Sequence, residues 1–189
     1  MYFVTFHLKD SLPVKALKAL KAKRVTFDEA YPPPHTDKTL LKRARDLAVE
    51  EERWLDQGLG TCPFREEVAR GNLFELISKL DGDRYALGAW VVMPNHVHVL
   101  IRMLDDEAYS LEEALRRWKS GSARWLNRDV IEPEERWFSE SYDRIVRDSE
   151  ALWRCVQYIG RNGEKAGLGE GDYTRGVCDE WVELGWGFE

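Results

Sequence analysis

Residues 84–102 read RYALGAWVVMPNHVHVLIR, two valine-rich runs on either side of Met93-Pro94-Asn95. Runs of β-branched and aromatic residues predict strands, and a Pro-Asn break between two of them is typical of a tight connection at a sheet edge. Working outward, residues 2–8 predict a first strand and residues 142–146 predict a short later one. Helical patterns fill the intervals. The order predicts an α+β domain, a small, mostly antiparallel sheet with helices packed on it.

Five helices are predicted from capping residues and from apolar positions at helical spacing. Asp37 is a suitable N-cap for the second helix, and Asp148 or Ser149 for the last. The last helix is predicted to end at Asn162-Gly163, because glycine frequently follows the final turn of a helix. The predicted ranges are 14–25, 37–55, 65–79, 111–127 and 149–163.

The chain of 189 residues contains 28 Lys and Arg against 34 Asp and Glu, a net charge of −6. Most of the excess acid lies in residues 169–189, so one domain with an acidic C-terminal segment is predicted. The overall basic charge that is typical of nucleic-acid-binding domains is absent. No apolar run approaches the about 18 residues of a membrane span, and three cysteines without a Cys-x-x-Cys pair indicate neither a disulfide framework nor a zinc ribbon. These features predict a soluble cytoplasmic protein.

His96 and His98 are the first candidate functional residues. In a strand, side chains two residues apart lie on the same face, about 7 Å apart along the chain. Two imidazoles placed in this way can share one divalent cation. The alternative is two half-buried histidines whose ring nitrogens are satisfied by hydrogen bonds within the sheet, and the residue pattern leaves both interpretations open.

Tyr158 and Asn162 are four residues apart on the last predicted helix, so they share a face at the border of its apolar stripe. From there a hydroxyl and an amide oxygen can both reach a cleft. The alternative is a tyrosine that only packs and an asparagine that only ends the helix. Tyr142 is the competing nucleophile, but it lies in a strand-like run without a polar residue four positions later.

The predicted helix over residues 111–127 combines two tryptophans with a set of basic residues. The functional interpretation is a surface that holds a nucleic-acid backbone. In the alternative, Trp118 and Trp125 face the core while the basic side chains are solvated, and this is the prediction for the tryptophans. The candidate DNA contacts are Arg116, Arg117, Lys119 and Arg124.

Residues 89–101, AWVVMPNHVHVLI, resemble the signature of the single-tyrosine HUH transposases, and most closely that of the REP-associated tyrosine transposases. The likeness extends in order over residues 1–168. Besides the histidine block it is carried by YFVTF at 2–6, SLP at 11–13, WKS at 118–120, YDRIVRD at 142–148, YIGRN at 158–162 and KAGL at 165–168.

This resemblance implies a ferredoxin-like HUH fold and a catalytic domain over residues 1–168, followed by the acidic segment 169–189. His96 and His98 would be ligands of Mg²⁺ or Mn²⁺, and Asn162 would complete the metal site. Tyr158 would be the nucleophile.

The activity implied by the resemblance is metal-dependent nicking and strand transfer of single-stranded DNA next to a hairpin, through a 5′-phosphotyrosine intermediate. The enzyme would act at the nucleoid as a monomer or a homodimer. The acidic balance and Asn162-Gly163 favour an alternative, a domesticated and catalytically silent protein that binds hairpin DNA. A third interpretation is a metal-binding domain that does not act on nucleic acid.

Overall fold

A computed structural model of the protein describes residues 1–126 and 136–189. In chain order its strands and α-helices are β1 (Tyr2–His7), α1 (Val14–Ala30), α2 (Asp37–Leu55), α3 (Glu67–Ser78), β2 (Tyr85–Val92), β3 (His96–Met103), α4 (Leu111–Leu126), β4 (Tyr142–Ile145), α5 (Ser149–Lys165), β5 (Thr174–Val177) and α6 (Asp179–Glu183). Short 3₁₀ turns follow β1 and precede α3. The predicted end of α4 at Asn127 lies outside the described residues.

The five strands form one sheet in the order β4-β1-β3-β2-β5, and each neighbouring pair is antiparallel. Strands β1 and β2 run in the same direction on either side of β3, with helices in the connection between them. The order of the first four strands is that of a ferredoxin-like fold. The predicted α+β class with a mostly antiparallel sheet is therefore confirmed.

Two apolar layers cover the two faces of the sheet. On one face, helices α3 and α4 pack over Val4, Phe6 and Val97, and we call this the α4 face. On the other, α5 packs over Phe3 and Leu100, and we call this the site face. Side chains alternate between the faces along each strand, so a residue's position in its strand decides which layer it joins.

Strand register places four polar side chains together on the site face. Thr5 lies directly opposite His98, and His7 lies directly opposite His96. Residues that face each other across antiparallel strands project to the same side of the sheet. His96 and His98 therefore share one face, as their spacing predicts, and Val97 and Val99 are buried on the α4 face.

Helices α1 and α2 form a hairpin whose base lies beside this polar group. Leu12, Ala16 and Leu55 form a small apolar cluster at that base. Thr36 caps α2 by accepting a hydrogen bond from the Thr39 backbone N–H. The last turn of α2 lies over the site face, where Glu52 contacts His98.

The last predicted helix is longer than expected, because α5 continues through Asn162-Gly163 to Lys165. Its N-cap is Asp148, as predicted, which accepts a 2.7 Å hydrogen bond from the Ala151 N–H. Gly163 does not end the helix. A Cβ there would lie 2.2 Å from the Tyr173 ring, so close packing explains the glycine.

The acidic segment adds a strand to the sheet. Residues 174–177 form β5, which pairs with the outer edge of β2. Beyond it, Trp181, Trp186 and Phe188 pack against the site-face layer. Across the described ranges, no helix is both long enough and apolar enough to span a membrane.

Candidate active site

The two histidines of β3 are held by their Nδ1 atoms, which leaves both Nε2 atoms directed into the site. His98 Nδ1 lies 2.8 Å from Thr5 Oγ1, and His96 Nδ1 lies 2.8 Å from Asn95 Oδ1. Asn95 is itself fixed, because its amide donates to the Leu59 carbonyl at 3.0 Å. With hydrogen assigned to each Nδ1, both Nε2 lone pairs are free. A hydrogen bond at one ring nitrogen commonly orients a histidine that binds metal through the other.

Both imidazoles are fully buried and neutral. Burial, together with the neighbouring His98, lowers the pKa of His96 to about 3. Burial also lowers the pKa of His98 to about 3, with Lys165 contributing in the same direction. Neutral imidazole is the form that binds a metal ion.

Glu52, at the end of α2, brings a carboxylate to these histidines. Its Oε1 lies 3.5 Å from His98 Nε2. One donor atom from each of Glu52, His96 and His98 can be chosen so that all three lie within 4.8 Å of one another. In the ranges that the structure describes, they are the one such cluster of His, Cys, Asp or Glu ligands.

Tyr158 lies beside the same cluster. Its ring contacts His98 and Phe3 edge-on, with centroid distances of 5.3 and 5.7 Å. Its hydroxyl donates a hydrogen bond to Glu52 Oε2. Burial and the Glu52 carboxylate raise the pKa of Tyr158 well above its usual value, so the hydroxyl is protonated in this arrangement.

Lys165 supplies positive charge at the edge of the site. Its Nζ lies 2.7 Å from Asp56 Oδ2, 3.9 Å from Glu52 Oε2 and 5.3 Å from the Tyr158 ring centroid. Burial raises the pKa of Asp56, and the ion pair with Lys165 offsets part of that effect.

Asn162 is one helical turn beyond Tyr158 and is completely buried. It lies close enough to His96 and Tyr158 to influence the pKa of each. Neither its Oδ1 nor its Nδ2 has a hydrogen-bond partner of good geometry among the residues described, and the same is true of Nε2 in both histidines. Buried polar atoms are rarely left unpaired, and a role in binding an ion is one explanation where they are.

The donor set fits a divalent cation. One donor atom from each of Glu52, His96 and His98 already lies within 4.8 Å of the other two. Two imidazole nitrogens with carboxylate and amide oxygens form a mixed set of nitrogen and oxygen donors for a divalent metal ion. Glu52, His96, His98 and Asn162 are thus the residues that would hold the ion.

The structure brings together four of the sequence-predicted residues, His96, His98, Tyr158 and Asn162, and adds Glu52, which the sequence analysis missed. The acidic run Glu50-Glu51-Glu52 was a visible signal, but each residue has a different partner. Glu50 pairs with Lys23, and Glu51 lies 3.2 Å from His7. Only the packing of the α1–α2 hairpin selects Glu52 for the site.

The predicted DNA contacts of α4 lie elsewhere, because α4 packs on the opposite face of the sheet. Trp118 is fully buried there, as predicted for that tryptophan. Arg116, Arg117 and Arg124 are exposed. Lys119 donates hydrogen bonds to the carbonyls of residues 138–140, and burial lowers its pKa to about 8.

Comparison with known proteins places the chain in a family. The model of the family described as "Transposase IS200 like" matches residues 64–162, more than half of the chain. The matched span contains both histidines, Tyr158 and Asn162, but not Glu52. A solved structure of a REP-associated tyrosine transposase bound to a REP hairpin aligns with a TM-score of 0.43 and 14% identity, covering 89% of this chain and 69% of that one. None of the curated proteins compared with the sequence matches it. The chain belongs to the IS200-like transposase family.

Proposed function

We propose that this protein is a metal-dependent transposase that nicks single-stranded DNA next to a hairpin and joins the cut end to another strand. One observation carries the proposal: the Tyr158 hydroxyl and the unpaired Nε2 atoms of His96 and His98 converge on the Glu52 carboxylate. The family supports DNA transposition in general terms, and this convergence supports a tyrosine nucleophile at a metal centre.

In the proposed reaction, the Tyr158 oxygen attacks the scissile phosphorus. A bond forms between phosphorus and the tyrosine oxygen, and the bond to the 3′-oxygen breaks, which releases a 3′-hydroxyl strand. The proton of Tyr158 passes to Glu52, the carboxylate to which the hydroxyl already donates, and the leaving 3′-oxygen takes up a proton from water to become the 3′-hydroxyl. A Mn²⁺ or Mg²⁺ ion held by the four ligands would stabilise negative charge on the phosphate. Attack by another 3′-hydroxyl on the phosphotyrosine reverses these bond changes and joins the strands.

Residues 1–168 would form the catalytic domain in this proposal. Segment 169–189 would pack against α5, the helix that carries Tyr158, and support it. The packing of Phe188 against Gly160 supports that role, because a Cβ at Gly160 would lie 2.6 Å from the Phe188 ring. The active enzyme would be a monomer or a homodimer.

A catalytically silent hairpin-DNA-binding protein is the second candidate. It is favoured by the closure of the site, since both histidines are completely buried and Glu52 contacts both Tyr158 and His98. In this candidate, the ion pair between Lys165 and Asp56 keeps α2 over the site permanently.

A denaturing gel separates the two candidates. Purified protein is incubated with a labelled hairpin oligonucleotide taken from repeats that flank the native gene, with Mn²⁺ and with or without a chelator. We expect a metal-dependent covalent adduct that is undetectable in Tyr158→Phe. Tyr109→Phe is the matched control, because that hydroxyl is remote from the site and has no hydrogen-bond partner among the described residues.

An adduct that persists in Tyr158→Phe would contradict the proposed nucleophile, and its loss in Tyr142→Phe instead would assign that role to the tyrosine of β4. If the parent protein forms no adduct but retards the same hairpin on a native gel in a salt-sensitive way, the silent DNA-binding protein is the correct function.

A further inference from the structure

A groove lies between the α1–α2 hairpin and the segment that leads into β4. Its volume is about 630 Å³, within the range of about 300–1,000 Å³ that is usual for ligand sites. Leu17 and Leu20 of α1 lie along one wall, and Phe138 and Tyr142 lie along the other. The groove is thus apolar inside and has aromatic rings on one side.

The α1 side of the groove is basic, and two carboxylates, Glu51 and Glu140, line the groove as well. Helix α1 has five basic residues between Lys15 and Arg24 and no acidic residue before Asp28, in a chain whose net charge is −6. Lys21 and Arg24 line the groove, are exposed and form no ion pair with any residue in the described ranges. Lys18 is exposed one turn earlier on α1. Lys18, Lys21 and Arg24 together outnumber Glu51 and Glu140, and this excess of positive charge along α1 favours an anionic occupant.

Two residues that line the groove, Phe138 and Tyr142, lie near the candidate active site. Tyr142 lies opposite Thr5, and Thr5 lies opposite His98, so the three side chains form one row on the site face. With strands about 4.8 Å apart, Tyr142 and His98 are about 10 Å apart. Phe138 stacks on His7 with ring centroids 4.8 Å apart, and His7 lies opposite His96.

We propose that this groove binds the single-stranded part of the DNA substrate and directs it to Tyr158. Lys21 and Arg24 contact phosphates, while Tyr142 and Phe138 stack on bases. A basic groove with aromatic platforms is how proteins bind single strands without strong sequence preference, and paired bases in a duplex cannot present their faces in this way. The proposal rests on the proposed function. It goes beyond the family comparison, because the α1–α2 hairpin lies outside the residues that the family model matches.

A second cavity gives one predicted DNA contact a place on this path. It has a volume of about 430 Å³, shares Phe138 and Ser141 with the groove, and is lined by Arg116. Arg116 therefore lies where a strand leaving the groove past Phe138 would emerge.

Fluorescence anisotropy tests the charge contacts separately from catalysis. Full-length protein is titrated onto a labelled dT15 oligonucleotide in chelator, at several salt concentrations. Losing two phosphate contacts in Lys21→Gln/Arg24→Gln should reduce the slope of log affinity against log salt by about 1.4. If the variant and the parent bind equally at 1 M salt, the variant should then bind about 25-fold more weakly than the parent at 0.1 M salt. The control Lys38→Gln/Lys79→Gln removes the same charge from exposed positions outside the groove and should bind like the parent.

The aromatic contacts are tested with paired variants of Tyr142. Loss of one stacked base in Tyr142→Ser should weaken dT15 binding between about 5-fold and 150-fold. Tyr142→Phe keeps the ring and removes only the hydroxyl, so it should retain most of the parent's affinity for dT15. If the hydroxyl were needed for structure instead, Tyr142→Phe would lose affinity as well. A duplex of the same length should compete weakly for the groove.

Three outcomes would contradict the proposal that the groove binds single-stranded DNA. The first is equal dT15 affinity in Lys21→Gln/Arg24→Gln and the parent, and the second is equal loss in the groove and control pairs. The third is a parent that is dimeric in light scattering and a groove variant that is monomeric, which would assign the groove to a second copy of the chain. If the groove variants lose dT15 binding as expected but the parent forms no covalent adduct, the groove stands and the proposed nuclease fails.

Discussion

The centre of the α4 face and the cluster around His96 and His98 on the site face treat their buried polar side chains in opposite ways. At the centre of the α4 face, the Trp118 indole N–H donates to the Tyr85 hydroxyl at 3.1 Å, and that hydroxyl donates to the Ile77 carbonyl. The Trp137 indole N–H donates to Ser122 Oγ at 2.9 Å, and this hydroxyl donates to the Trp118 carbonyl. Each of these groups has a partner, as is usual in a folded core.

On the site face, Nε2 of His96, Nε2 of His98 and both amide atoms of Asn162 have no partner of good geometry in the part of the chain that is described. An unpaired buried polar group lowers stability by about 1–3 kcal/mol. Such groups persist where they serve something other than stability. The difference between the faces therefore indicates that the α4 face holds the fold together, while the site face is prepared for a ligand.

Substitution of the central tryptophan should have the largest effect. Trp118→Ala removes a fully buried ring from the α4 face and leaves the Tyr85 hydroxyl without its donor. We expect the free energy of unfolding to fall by about 3–5 kcal/mol, measured by urea denaturation. Trp153→Ala is the control, since that side chain is 42% exposed on α5. A loss in Trp118→Ala no larger than in this control would contradict the role of the α4 face.

Metal binding should stabilise the protein through the other face. At a Mn²⁺ concentration of 100 times its Kd, the free energy of unfolding should rise by about 2.7 kcal/mol, because the ion binds the folded state alone. His98→Ala should abolish this rise, whereas His35→Ala should keep it, because His35 pairs with Asp28 away from the site. The measurement is thermal unfolding with and without Mn²⁺. Equal stabilisation of His98→Ala and the parent would place the ion elsewhere.

Local pattern made the site-bearing strands predictable from the sequence. Residues 84–102 contain two β-branched runs and a Pro-Asn break, and β2 and β3 form where these runs lie. Strand β5 was not predicted, because its four residues, TRGV, show no apolar alternation and depend on pairing with β2. The helix end at Gly163 was wrong for a related reason, since contact with Tyr173 requires the glycine.

The part of the candidate site that was predictable from the sequence consists of residues that are close together in the chain. His96 and His98 share a strand, and Tyr158 and Asn162 share a helix. The repeat of each element places the two residues of a pair on one face, and the resemblance to the transposase family indicates that the two pairs form one site. Glu52 comes from a distant helix with three consecutive acidic residues. Which of them reaches the histidines depends on how the hairpin packs, and no local pattern contains that information.

The smallest change in stability is expected at Asn162, and it tests the contrast between the faces most directly. Asn162→Leu replaces two unpaired buried atoms with apolar atoms of similar volume, so the free energy of unfolding should change by less than about 1 kcal/mol. On the α4 face, Ser122→Ala should instead lower it by about 1–3 kcal/mol, because the Trp137 indole N–H loses its acceptor. Both are measured by urea denaturation in chelator. Asn162→Leu should also show a smaller stabilisation by Mn²⁺ than the parent. If it lowers stability as much as Ser122→Ala does, then Asn162 is satisfied within the protein, and the site face is built for stability in the same way as the α4 face.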